Sequence, residues 1–180
     1  MTYVDCDARA AKFFGDADGV DEIIAGHVPA DAERLWNFVG ADCTTDLGLP
    51  DGGFDLLISL YAGFVSEPCT RHLRPGGWLL VNASHGDAAI ASIDPRYRLV
   101  GVVQSRLGKY SLSDRNLDSY LIPKRDIEVT ADLIHDLGRG IGYTKAPFAY
   151  LFQLRSRNES TPRSLPSLAW RGVGYDQRSR

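Results

Sequence analysis

At 180 residues, with 44% hydrophobic and 24% charged side chains, the chain is long enough to bury a core and too apolar for global disorder. A net charge of −3 gives the body no clustered cation for phosphate-backbone recognition, so nucleic acid is an unlikely partner and a small molecule or a protein is expected. Cys6, Cys43 and Cys69 are widely spaced with no C-x-x-C pair, no apolar run approaches the roughly 20 residues of a membrane span, and the start is acidic rather than basic-then-apolar, so the reading is a cytoplasmic protein without disulfides, zinc knuckle, membrane span or signal peptide.

In chain order, Thr2 to Val4 reads as a strand end and Ala8 to Phe14 as a short helix stopped by Gly15. The acidic stretch "GDADGVDEIIAGHVPADAE" reads as a loop with one helical turn around Asp21 to Ala25, and Leu35 to Val39 as the next strand. Phe54 to Leu60, "FDLLISL", is a nearly continuous apolar run that suits a strand buried on both faces of a parallel sheet. Val65 to His72 is the crossover helix with Pro68 near its first turn, "RPGG" a tight turn, and Trp78 to Asn82 another buried strand.

Asp87 to Ile93 is read as helix and Arg98 to Gln104 as strand, followed by a hairpin or extended excursion between Gly108 and Lys124. Thr130 is an N-cap for a helix over Ala131 to Leu137, Gly138 its stop, and Phe148 to Leu154 the last strand. Past Arg155 apolar periodicity is lost and arginine, serine and proline dominate, which predicts a domain over 1–155 and a basic, weakly ordered tail over 156–180. Within it Leu165, Leu168 and Trp170 could dock on the domain or on a partner. Strands alternating with short helices predict a mostly parallel α/β sheet with helices on both faces and an antiparallel C-terminal edge.

Ligands of such sheets bind beyond the carboxyl ends of the strands. Asp5 is placed there, and its two oxygens match a vicinal diol; the plain structural reading is a helix N-cap, for which Asp7 is the better candidate. Asp42 could accept from an adenine amino group or simply close an Asx-turn. Cys43 by itself reads as a small buried hydrophobe, with no cation beside it to activate the thiol.

Three segments in order, "YVDCDARAA", "GAD" ahead of "GLPDGGFDLLISL", and "HLRPGGWLLVN", resemble the class I S-adenosylmethionine-dependent methyltransferases from Thr2 to about Leu154. The resemblance implies a Rossmann-like sheet and an S-adenosylmethionine cofactor. It places Asp5 on the ribose and Cys6 beside the adenine, Asp42 on the adenine amino group with Cys43 supporting it, and Ser59 to Tyr61 near the methionine end. The family's G-x-G-x-G turn and the strand before it have no counterpart, so the sheet is expected to be N-terminally incomplete, or completed by a protein partner or a second copy. "RGIGY" at Arg139 to Tyr143 follows a helix and does not replace that turn.

Methyl transfer is a displacement at a sulfonium carbon and rests mainly on alignment. "SLYAGF" stands where the family's amine-methylating members carry Asp or Asn, Pro-Pro and an aromatic, which disfavours methylation of an exocyclic amine; the expected acceptor is a small molecule. His85, after the "WLLVN" strand, is the candidate base, against the plain reading of a solvated loop histidine; Tyr61 is either pocket wall or core. The competing classes are an inactive methyltransferase-like binding protein and an unrelated nucleotide-binding enzyme such as a dehydrogenase.

Overall fold

In the computed structural model, residues 1–29, 31–33 and 35–156 are described. The predicted basic tail, apart from Ser156, lies outside them, as do Leu165, Leu168 and Trp170.

The chain opens with β1 (Thr2–Val4), α1 (Ala8–Phe14), α2 (Ala17–Ala25) and β2 (Asn37–Val39). β1 and β2 pair in parallel, with Val4 opposite Val39, as a sheet of their own. Phe14, at the end of α1, stacks on Phe38 at 4.7 Å and meets Tyr3 at 4.7 Å, so aromatic contact fastens the helix to both strands. α2 is longer than the single turn expected, because Asp16 caps it through Gly19 N and Asp18 sits favourably in its first turn. Trp36 Nε1 donates to Asp21 Oδ1 at 2.7 Å and ties that helix back to the start of β2.

The second sheet contains β3 (Phe54–Ser59), β4 (Leu73–Val81), β5 (Tyr97–Arg106), β6 (Lys109–Ser113) and β7 (Ala149–Leu154), in the order β3-β4-β7-β5-β6. α3 (Ser66–Cys69) and a 3-10 turn (Thr70–His72) lead from β3 to β4, α4 (Asp87–Ile93) from β4 to β5, and α5 (Ala131–Leu137) precedes β7. β4 starts before the R-P-G-G expected as a turn, and an irregularity in register between Phe54 and Leu56 absorbs the added residues.

The expected mostly parallel Rossmann-like sheet with an antiparallel C-terminal edge is not what forms. Only β3 and β4 pair in parallel; β7 pairs antiparallel with both β4 and β5, and β5 antiparallel with β6. The five-stranded sheet is therefore mixed and mostly antiparallel, beside the small parallel pair β1-β2. β3, β4 and β5 do run in one direction, as helical connections favour. The last strand, however, inserts between β4 and β5 rather than lying outside them, and so converts their contacts to antiparallel ones. The two-residue turn Leu107-Gly108, both at positive φ (51° and 74°), then folds β6 straight back onto β5.

Helices cover one face of this sheet. Leu79, Val81, Tyr150 and Phe152 alternate onto it and pack with Ala88 to Ala91 of α4 and Ile134 of α5 in a single core. On the opposite face of β3, at the end of the sheet order, Leu56 and Ile58 are 45% and 48% exposed, although the sequence pattern predicts a strand buried on both sides. Among the described residues no helix is long and apolar enough to cross a membrane.

Candidate functional site

The residues singled out in the sequence fall beyond the carboxyl ends of β1, β2, β3 and β4. Because β1 and β2 are parallel neighbours, Asp5 and the Gly40 to Asp42 turn emerge side by side, with Asp5 N donating to Val39 O at 3.2 Å. Asp5 Oδ1 accepts from Asp7 N at 2.8 Å; the residue is exposed, and among the described residues its Oδ2 has no hydrogen bond. Asp7 is the helix cap, accepting from Arg9 N at 2.7 Å and pairing with the Arg9 guanidinium, which holds its carboxyl below the usual range. The division of labour between the two aspartates is thus the one the sequence suggests for the cap.

Asp42 closes an Asx-turn: Oδ1 accepts from both Thr44 N and Thr44 Oγ1 at 2.8 Å, and these bonds to the ionised form lower its pKa. Asp42 is exposed, and among the described residues its Oδ2 has no hydrogen bond. Cys6 is exposed between Asp5 and Asp7. Cys43 is not alone, since the Cys69 thiol donates to Cys43 O at 3.8 Å. That contact joins the turn after β2 to the helix after β3, which places the loops of both sheets on one side.

At the end of β3, Ser59 is buried and its hydroxyl donates to Asp87 Oδ2 at 2.6 Å, so it shapes the site without facing it. Asp87, 2% exposed at the start of α4, also accepts from Ser66 N at 3.0 Å and from Ser66 Oγ. Burial pushes its pKa up, opposed by those donors. One carboxylate therefore pins both ends of the loop from Ser59 to Ser66. Within that loop Tyr61 is held at φ 61°, a left-handed conformation rare for a non-glycine residue, with its side chain 64% exposed.

The loop after β4 is linked to Tyr61 through the buried Asn82. Asn82 Oδ1 accepts from Tyr61 N at 3.2 Å and from Ser84 Oγ at 2.7 Å. Ser84 Oγ lies 2.8 Å from His85 Nδ1. A serine hydroxyl has one hydrogen, and Ser84 donates it to Asn82, so His85 Nδ1–H donates to Ser84 Oγ. His85 is exposed, and Nε2 is its outward nitrogen. Gly86 must be glycine: it sits at φ 95°, and a Cβ would meet the Phe64 ring at 2.7 Å and Ile134 Cγ2 at 3.0 Å. Gly140 of "RGIGY" also serves packing, since a Cβ there would collide with Ala83 O.

Sequence reasoning missed Asn82, Ser84 and Asp87 as organisers of the site. Their signal was their place directly after a buried strand, "VNASHGD", where a run of short polar side chains has no role in the core.

For an adenosine-bearing cofactor the fit is partial. The open oxygens of Asp5 and Asp42, on neighbouring strand ends, suit a ribose diol and an adenine amino group. No glycine-rich strand-to-helix turn stands among the described residues to receive an amino-acid end, and no group of three or more His, Cys, Asp or Glu there is placed to hold a metal ion. No family model matches the chain, and no curated protein matches it.

Proposed function

We propose that this protein binds S-adenosylmethionine by its adenosine portion and supports methyl transfer to a small-molecule acceptor. The observation that carries the reading is the adjacency of Asp5 and Asp42 at the ends of two parallel strands, each with one carboxylate oxygen committed to a turn and one open. Asp5 holds the ribose hydroxyls and Asp42 the adenine amino group, with the Cys6 and Cys43 backbone alongside. The cofactor supplies an activated methyl group on a sulfonium. Tyr61 lines the acceptor's side, and His85 Nε2 takes the proton that an oxygen acceptor loses; Ser84 positions that base by fixing its tautomer.

Calorimetric titration of the full chain with S-adenosylmethionine and with S-adenosylhomocysteine tests the reading. Binding of both is expected, with Asp5→Ala weakening each by about 10- to 100-fold, the worth of charge-assisted hydrogen bonds to a diol. Absence of heat with either ligand from the folded protein, or an unchanged affinity in Asp5→Ala, overturns it.

A second reading, a methyltransferase-like protein that binds a partner and catalyses nothing, is favoured by the apolar edge strand β3 with Leu56 and Ile58 half exposed. A folded protein that ignores both ligands and loses self- or partner association on Ile58→Lys would support it.

A further inference from the structure

Two of the three cysteines, distant in sequence, meet in the fold where the turn after β2 touches the helix after β3. Cys69 lies in α3 and is buried; Cys43 is half-buried in the turn after Asp42. The Cys69 thiol donates to Cys43 O at 3.8 Å, which holds the two cysteines against each other. Beside them an open cleft of about 420 Å³, lined by Cys43, Thr44, Thr45, Asp46, Pro68 and Arg71, gives a small oxidant access to Cys43 from solvent. Cys6 is exposed on the loop after β1.

We propose that Cys43 and Cys69 form a reversible disulfide on exposure to a low-molecular-weight disulfide oxidant, stapling the two-stranded sheet to the five-stranded one. The Cys43 thiolate attacks a sulfur of glutathione disulfide, forming a mixed disulfide and releasing one glutathione. The Cys69 thiolate then attacks Cys43 Sγ, the protein S–S bond forms, and the second glutathione leaves. Two electrons pass from the protein thiols to the oxidant, and the two thiol protons end on the two glutathiones. This does not depend on the methyl-transfer reading, since it concerns the joint between the sheets and not the ligand they hold.

Burial raises both thiol pKa values, Cys69 to about 11, so few thiolates are present at neutral pH and the reaction is slow. The same property makes Cys69 a poor leaving group, so the bond is also slow to be reduced. The device thus records sustained oxidation rather than brief exposure.

The test equilibrates the full chain in glutathione buffers from fully reduced to fully oxidised, blocks free thiols with an alkylating agent, and maps peptides by mass spectrometry without reduction. The expected result is a peptide pair joined through Cys43 and Cys69, lighter by two hydrogens, reversed by dithiothreitol, with Cys6 either alkylated or carrying glutathione but joined to neither. Closing a loop of this length raises Tm by about 5 °C or more, a rise expected to vanish in Cys43→Ser and in Cys69→Ser. Glutathione that persists on Cys43 without closure, or alkylation of both thiols in the fully oxidised buffer, overturns the proposal. Both outcomes are read on the unmutated protein, so poor folding of a serine variant leaves the test intact.

Discussion

Across residues 1–39 the described structure buries a single hydrophobic side chain, Val20 at 3% exposure, whereas the five-stranded sheet closes over a continuous core running from Leu73 to Phe152. The first region is held by surface devices: the Asp7 and Asp16 caps, the Trp36–Asp21 hydrogen bond and the Phe14 stack on Phe38. The second is held by apolar burial, the larger and less fragile contribution. Yet the two carboxylates proposed for ligand binding belong to the first region and the turn that leaves it. The site therefore sets weakly supported recognition residues against a rigid scaffold, so ligand binding should stabilise the N-terminal strands more than the body.

The largest effect that would sharpen this contrast is expected from Phe152→Ala. Removing a ring 1% exposed at the centre of the sheet should cost about 3–5 kcal/mol, and urea unfolding should show the loss as a global shift in midpoint. A local effect, with the rest of the sheet still protected, would break the claim that one core holds the body.

Asp87→Asn probes the loops of the body, because Asp87 pins both ends of the segment from Ser59 to Ser66. Its native pKa is raised above the unfolded value, so the native state holds the extra proton and Asp87 lowers stability as pH rises from about 4 through its native titration. Asparagine keeps an oxygen for Ser66 N and turns an amide N–H toward Ser59 Oγ, which can accept it, without the buried charge. The variant should gain on the natural protein progressively as pH rises from about 4 to about 7, measured by urea unfolding across that range. A difference independent of pH would show that the carboxylate titrates alike in both states.

Phe14→Ala should act on the first region alone, at a cost of about 1–2 kcal/mol for the lost stacking and burial. Hydrogen exchange is expected to accelerate at β1, α1 and β2 while amides of β4 and β7 keep their protection. Equal acceleration in both would mean that the N-terminal strands and the body unfold together, and would erase the comparison.

Short-range chemistry is legible in the text of the chain. Thr130 accepts from Leu133 N as the cap its position predicts, and Gly138 ends that helix in the left-handed region at φ 55°. Asp7 is recognisable as a cap, and Asp5, Asp42 and His85 as residues following strands, because each depends on neighbours within a few positions. The run "VNASHGD" marks a polar cluster in the wrong place for a core, but nothing local says that Asp87 reaches back to Ser59 and Ser66, or that Asn82 reaches Tyr61.

Strand order lies beyond that reach. The apolar run "FAYLFQL" has the same composition whether it lies at an edge or between β4 and β5, since period and propensity describe a strand's faces and not its neighbours. Which of these pairings forms depends on which faces the helices have already covered. The same holds for β3, whose sequence reads as buried on both sides while Leu56 and Ile58 stand half exposed. The sequence by itself determined caps, turns and the alternation of elements through local sterics and hydrogen bonding. Only the tertiary structure decided that β7 splits β4 from β5, that the sheet is mixed rather than parallel, and that Cys43 meets Cys69, because these are contacts between segments whose separation along the chain carries no local signal.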